Sequence, residues 1–104
     1  MHRITLDPYL VDTLMPDLVG HDRHPAAFLV YLYLWRQAQD SGDTAGSPVR
    51  RSLREISDGT GMSKRSVQSA LRRLAMRRLI GMSRESITAI PEYRVLAPWR
   101  RTGS

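Results

Sequence analysis

The chain has 104 residues, of which 41% are hydrophobic and 25% charged, and this composition predicts a single globular domain with one core. Cysteine is absent, which excludes disulfide bonds, a thiolate nucleophile and a cysteine-based zinc site. The longest apolar run, AAFLVYLYLW, is shorter than the roughly 20 residues of a membrane span, and the first residues lack a signal-peptide profile. We therefore expect a cytoplasmic protein that does not enter a membrane.

Charge is distributed unevenly along the chain. Residues 1–47 contain three arginines and six aspartates, a net charge of −3, whereas residues 48–104 contain thirteen basic and four acidic residues, a net charge of +9. An asymmetry of this size in a short chain indicates that the second part binds a polyanion and that the first part has another role.

The first 47 residues predict an arm followed by a long helix. Residues 1–24 contain Pro8, Pro16 and Gly20 and show no sustained hydrophobic period, so we expect an extended arm with one short helical turn that serves dimerisation. Pro25 suits the first position of a helix, which should run to the glycine of the polar loop DSGDTAGS. The centre of this helix is apolar on nearly every side, which is typical of a core helix or of one that also forms a subunit interface.

The next segment predicts a strand and two short helices. PVRR suits a short strand, and Ser52 with Glu55 matches the capping box that begins a helix. A tight turn containing Gly61 leads to Ser63, which can cap a second helix whose apolar stripe consists of Val67, Ala70, Leu71 and Leu74. Two short helices joined by a tight turn, the second with a basic outer face, form a helix-turn-helix.

The end of the chain predicts a hairpin and a tail. LIGMS and YRVL have the composition of strands, and Pro91 between them belongs in a loop or at a strand start. Residues 98–104 are basic and rich in small residues, so we expect them to form a mobile tail.

The stretch SLREISDGTGMSKRSVQSALRRLAMRRLIGMS resembles the winged helix-turn-helix domains of bacterial and phage transcriptional regulators and of plasmid replication initiators. The motif consists of a small residue on the first helix, Gly-x-Ser at the turn, Ser-Val on the recognition helix, a leucine four residues later and a Leu-Ile exit: Ser57, Gly61, Ser63, Ser66, Val67, Leu71, Leu79 and Ile80. The resemblance implies a mainly helical fold over residues 25–97, with a three-helix core and a small β-hairpin wing. It also implies sequence-specific binding of double-stranded DNA.

Two positions depart from the family pattern. Ser57 stands where alanine is commoner, and we expect its hydroxyl to bond back to its own helix. Arg78 stands where glycine or asparagine usually ends the recognition helix. If the backbone is left-handed there, arginine costs about 1 kcal/mol relative to glycine.

The resemblance and the helical wheel together select candidate DNA-contacting residues. Residues near the start of a recognition helix approach the bases, and these are Ser63, Lys64, Arg65, Ser66, Gln68, Ser69 and Arg72. Arginines around that helix are expected to bind phosphates: Arg50, Arg51, Arg54, Arg73 and Arg77. Arg84 and Arg94 belong to the predicted wing, and Arg100 and Arg101 lie beyond it.

Other readings of the same residues remain open. A winged helix can instead dock an acidic protein partner through its basic face. Tyr31, Tyr33 and Trp35 suit the core better than a subunit interface, although a homodimer through residues 1–47 would let two copies read two half-sites.

Catalytic and cofactor sites are poorly supported. His21, Asp22 and His24 form a polar turn more readily than a metal site, and GTGMSKRS lacks the spacing and the preceding strand of a phosphate loop. No Ser/His/Asp set or paired carboxylates suggest an enzyme. We expect no cofactor, and the sequence shows no site for a small-molecule effector.

Overall fold

The computed structural model describes residues 3–40 and 47–100, which are mainly helical with one small antiparallel sheet. The elements in chain order are two π-helical turns (Leu10–Leu14 and Pro16–His21), helix α1 (Pro25–Asp40), strand β1 (Pro48–Arg50), helices α2 (Leu53–Thr60) and α3 (Lys64–Met76), strands β2 (Ile80–Ser83) and β3 (Glu92–Val95), and a 3₁₀ turn (Pro98–Arg100). Most of the predicted loop DSGDTAGS lies outside the described residues. Among the described helices, none has the length and apolarity that crossing a bilayer requires.

Helix α1 is the centre of the core. Tyr31, Leu34 and Trp35 are fully buried, because α2, α3, the sheet and the second π-helical turn all pack around this helix. Two side-chain donors reach backbone carbonyls at its periphery: the Tyr31 hydroxyl donates to Leu96 at 2.7 Å and the Trp35 indole N–H donates to Thr5 at 2.8 Å. These bonds satisfy both polar atoms, so Tyr31 and Trp35 belong to the core and not to a subunit interface.

The N-terminal segment is part of the same core. Leu10, Leu14 and Leu18 are at most 2% exposed and pack in the cluster that contains α1. The backbone there forms bonds five residues apart, as from Asp22 N–H to the Asp17 carbonyl at 2.9 Å, and this wide turn keeps every fourth residue on one face. The expectation of an extended arm was therefore wrong for residues 10–21.

The three strands pair in the order β1–β3–β2, with both pairs antiparallel. Val49 of β1 and Met82 of β2 both lie opposite Tyr93 of β3. The predicted short strand therefore joins the predicted hairpin, and β3 takes the central place in the sheet.

The turn between α2 and α3 follows the predicted capping chemistry with one difference. Ser52 and Glu55 form the capping box, and the Ser63 hydroxyl accepts the Ser66 N–H at 3.1 Å at the start of α3. Gly61 ends α2 with a φ of 74°, a left-handed conformation that favours glycine. The Ser57 hydroxyl donates forward across the turn to the Met62 carbonyl and not back into α2, so that expectation was wrong.

Helix α3 ends in a left-handed residue that is not glycine. Arg78 has a φ of 56°, and the flanking bonds, Leu79 N–H to Leu74 O at 2.9 Å and Arg78 N–H to Ala75 O at 3.0 Å, form a Schellman motif. The residue that ends α3 is therefore left-handed, and its arginine side chain strains it.

We predict that Arg78→Gly raises the free energy of unfolding by about 1 kcal/mol, because glycine adopts the left-handed conformation without steric cost. Chemical denaturation at neutral pH measures the change. The matched control is Gly61→Ala, which puts a side chain on the left-handed residue of α2 and should destabilise the protein. A lower stability for Arg78→Gly would contradict the account of this helix end.

Candidate nucleic-acid interface

The outer face of α3 carries most of the predicted base-contacting side chains. Val67, Ala70 and Leu74 are fully buried against the core, which turns the opposite side of the helix to solvent. Six of the seven predicted residues are exposed there or at the helix start: Ser63, Lys64, Arg65, Ser66, Gln68 and Arg72. They form a continuous polar surface with Lys64, Arg65 and Arg72 as its charges.

Ser69, the seventh residue, lies on a different side of α3. It is half-buried, and its hydroxyl lies 3.0 Å from His24 Nε2. His24 Nδ1 accepts the Ala27 N–H at 3.3 Å at the start of α1, so the ring N–H is on Nε2 and donates to the Ser69 oxygen. Ser69 therefore joins α3 to the start of α1 and does not belong to the exposed face, a contact for which the sequence gives no signal.

The beginnings of α2 and α3 differ in charge. A helix N-terminus has a partial positive charge, and in α2 the carboxylate of Glu55, which belongs to the capping box, offsets this charge. Helix α3 has no acidic residue in its first turn and has Lys64 and Arg65 there instead. This arrangement costs the isolated helix a few tenths of a kcal/mol and concentrates positive potential and free N–H donors at one exposed point.

The arginines predicted to contact phosphates have different surroundings. Arg54 is 81% exposed, and its only carboxylate neighbour in the described part of the chain, Asp58, is 3.9 Å away. Arg50 is exposed, and its guanidinium lies 3.6 Å from Glu92. Arg51 is half-buried and donates to Gln37 of α1 at 2.7 Å. Arg54 is thus the most available member of this group, and Arg51 is held against α1.

Arg77 does not belong to the exposed basic face. Its guanidinium donates to both oxygens of Asp22, at 3.0 and 3.1 Å, and also to Asp17. The side chain is 29% exposed and the Asp22 side chain only 5%. Arg77 therefore ties the end of α3 to the second π-helical turn, and its guanidinium is occupied by two carboxylates. Arg73, half-buried one turn earlier, also lowers the pKa of Asp22 through its charge.

The side chains around Arg77 include residues that could ligate a metal ion. Ligand atoms of Asp17, His21 and Asp22 lie within 4.8 Å of one another, whereas His24 points to Ser69. Both carboxylates already bind the Arg77 guanidinium, which occupies their oxygens and offsets part of their charge. The geometry favours an ion-pair cluster with a structural role.

Arg84 and Arg94 lie on the hairpin as predicted. Arg84 is exposed and donates to the Ile87 carbonyl at 3.1 Å within the loop between β2 and β3. Arg94 is half-exposed and donates to Glu92 on its own strand at 3.1 Å. Arg94 thus pairs with a carboxylate, whereas Arg84 forms no ion pair with a carboxylate of the described residues.

Arg100 and Trp99 anchor the end of the described chain. Both donate to the Asp7 carboxylate, Arg100 at 2.6 and 2.8 Å and Trp99 at 2.8 Å, and Trp99 stacks on Tyr9 with ring centres 4.5 Å apart. Arg100 binds Asp7 and covers Trp35, so residues 98–100 are docked and the expected mobile tail was wrong for them. Arg101 lies outside the described residues.

No family model, curated protein or solved structure matches the chain. The resemblance to winged helix-turn-helix domains therefore depends on its sequence motif.

We predict that Arg77→Gln lowers the free energy of unfolding by about 2 kcal/mol at pH 7, because the largely buried Asp22 loses its charged donor. The hydrogen bond from His21 and the charge of Arg77 lower the pKa of Asp22 below its ordinary value. A lowered pKa contributes stability above about pH 4 that is lost as the pH falls through the folded-state value.

The wild type should therefore lose more stability than Arg77→Gln between pH 5 and pH 2, as measured by thermal unfolding across that range. Arg54→Gln, which removes a highly exposed arginine, serves as the matched control and should change stability by less than about 0.5 kcal/mol. Equal effects of the two substitutions would contradict the structural role of Arg77.

Proposed function

We propose that the chain is a winged helix-turn-helix protein that binds double-stranded DNA in a sequence-specific manner, as a transcriptional regulator or as part of a replication initiator. Helix α3 would enter the major groove with Lys64 and Arg65 foremost, and the β2–β3 hairpin would lie over the neighbouring backbone as the wing. The observation that carries the proposal is the exposed, uncompensated positive charge at the start of α3.

The order of elements supports the winged form of this motif. Helix α1, strand β1, the α2–α3 pair and the β2–β3 hairpin follow one another, and β1 closes the sheet against β3. This arrangement fixes the hairpin to the same body as α3. The loop with Arg84 and the exposed face of α3 both border one cleft, so one duplex can meet both.

The sorting of charges supports a polyanion as the partner. Three aspartates of the N-terminal half bind arginines away from the exposed face of α3: Asp7 binds Arg100, while Asp17 and Asp22 bind Arg77. Lys64, Arg65, Arg72 and Arg84 have no carboxylate partner among the described residues. Counterion release from DNA gives such unpaired cations a large, salt-dependent contribution to affinity.

We predict that selection from a random pool of duplexes recovers one motif, and that affinity for this motif falls steeply with salt. Arg65→Ala should relax the preference at one base pair by about 1–3 kcal/mol, because arginine can bind guanine through two donors. The matched control is Arg54→Ala, which should weaken all sequences alike as a phosphate contact does. Fluorescence anisotropy with the selected duplex and its single-base variants measures both effects.

Failure to bind any duplex at low salt would contradict DNA binding. Equal weakening of all sequences by Arg65→Ala would contradict the placement of α3 in the major groove.

A homodimer through the N-terminal segment suits this function. Val11, Met15 and Val19 are 48%, 36% and 39% exposed and follow one another every fourth residue, beside the buried leucines. Arg77 ties this segment to the last turn of α3, so the apolar row is remote from Lys64 at the other end. Two copies joined along this row could present two α3 helices to two half-sites.

We predict that Met15→Asp prevents dimer formation, because it buries an unpaired charge at the centre of the row. Sedimentation equilibrium measures the mass, with Thr13→Asp as the control because Thr13 is exposed but outside the row. A wild-type protein that stays monomeric at high micromolar concentration would contradict the dimer, without affecting DNA binding by a single copy.

Docking of an acidic protein on the basic face is the second candidate function. The observation that favours it is the exposed apolar surface beside the charges, where Met76 is 67% and Met82 is 54% exposed. A preference for one duplex sequence over random duplex discriminates between the two functions, because an unspecific basic face binds all duplexes alike.

A further inference from the structure

A cleft of about 550 Å³ lies between the outer side of α3, the start of α2 and the β2–β3 hairpin. Its apolar wall includes Leu71 and Ala75 of α3, Met82 of β2 and Ile90 of the hairpin loop. Pockets that hold small molecules have volumes of about 300–1,000 Å³, mostly apolar walls and a few convergent polar groups. The size and the walls of this cleft meet that description.

Polar side chains that can donate hydrogen bonds also line the cleft: Ser52, Gln68, Arg72, Arg84, Thr88 and Tyr93. Arg72 and Arg84 line it, and neither forms an ion pair with a carboxylate in residues 3–40 or 47–100. Tyr93 also lines it and is only 5% exposed. These two guanidinium groups and one phenol make the site positive and rich in donors.

The hydroxyl group of Tyr93 is left without a protein partner. It forms no hydrogen bond with the residues that the structure describes, whereas every fully buried side-chain polar atom among them has a partner. The Tyr93 hydroxyl is therefore not fully buried, and Tyr93 is part of the wall of the cleft. Burial raises the pKa of Tyr93 and the charge of Arg84 opposes this increase, so the phenol stays protonated at neutral pH beside a cation.

We propose that this cleft binds a small organic anion with an apolar body, of the aromatic carboxylate class. The ring would contact Leu71, Met82 and Ile90, and the carboxylate would accept hydrogen bonds from Tyr93, Arg84 and Arg72. An acid group suits a phenol without a protein acceptor and two guanidinium groups that pair with no carboxylate in the described residues. An apolar body suits a wall where Met82 and Ile90 are 54% and 53% exposed.

Occupation of the cleft has a consequence for DNA binding, and this part of the inference rests on the proposed function. Gln68 and Arg72 line the cleft and also belong to the exposed face of α3 proposed to read the bases. An anion bound there neutralises Arg72 and occupies the space between α3 and the hairpin. The ligand should therefore compete with DNA.

The test uses 2-naphthoate as the probe and 2-naphthylmethanol as its neutral counterpart of similar size, titrated into the full chain without DNA. Amide chemical shifts locate each site and give the dissociation constants. We expect naphthoate to shift the resonances of the residues around the cleft and to bind about tenfold more tightly than the alcohol, because hydrogen bonds to a charged acceptor contribute that much.

Variants distinguish specific binding of the anion from nonspecific hydrophobic binding. Arg84→Gln and Tyr93→Phe should each weaken naphthoate severalfold and leave the alcohol unchanged, and Tyr93→Phe keeps the packed ring so that folding is preserved. Arg3→Gln, a change of an exposed arginine on the N-terminal segment, is the control and should have no effect. Equal affinity for naphthoate and the alcohol, shifts confined to residues outside the cleft, or no binding at millimolar probe would overturn the proposal.

Competition is measured separately, as the loss of anisotropy of a labelled duplex when naphthoate is added. A loss in the wild type that is reduced in Tyr93→Phe supports the regulatory part, and an unchanged duplex affinity at saturating naphthoate overturns that part. Because the probe titration contains no DNA, a failure of DNA binding leaves the result on the anion site intact.

Discussion

The structure depends on the burial of most of the apolar surface of α1. Tyr31, Leu34 and Trp35 have no exposed surface, and such large side chains each stabilise the fold by about 1.5–3 kcal/mol when buried. No single element can cover so wide an apolar surface. The π-helical turns, α2, α3, the sheet and the C-terminal turn therefore each occupy one part of its surface, and this requirement fixes the positions of α3 and of the hairpin.

Ion pairing then determines which of the charged side chains at the surface have a partner of opposite charge. Asp7, Asp17 and Asp22 are acidic residues of the N-terminal half, and each binds an arginine from a later element. Ion pairs of this kind fasten the first segment to the end of α3 and to the last described turn. They also leave the start of α3 with cations that no acid offsets, which is an unfavourable arrangement for the helix alone and a favourable one for an anionic partner.

Local signals in the sequence predicted local structure well. The capping box of Ser52 and Glu55, the cap at Ser63 and the turn glycine Gly61 depend on neighbouring residues, and all three appear as expected. The N-terminal segment was mispredicted because Pro8, Pro16 and Gly20 suggested that no helix continues there. Leu10, Leu14 and Leu18 nevertheless repeat every four residues and form one buried row on a helical face. Arg78 has the left-handed backbone that the sequence left open, although its residue type alone disfavours that conformation.

The candidate site was predictable only where exposure follows from helical spacing. Lys64, Arg65 and Arg72 lie on the outer face because the apolar stripe must face the core. Ser69 and Arg77 lie near the limits of that face, and their roles are set by His24, Asp17 and Asp22, which are at least 45 residues away in the chain. The cleft beside α3 is assembled from three elements, so no short stretch of sequence indicates it.

Mapping of a bound duplex onto the chain by amide chemical shifts tests the central claim most directly, because it reports where DNA lies without assuming its sequence. The account predicts that a short duplex at low salt shifts resonances at the start of α3, from Ser63 to Arg72, and in the hairpin loop around Arg84. The resonances of Val11, Met15 and Val19 should not change. Shifts concentrated on that N-terminal row, or none at all at low salt, would contradict the account.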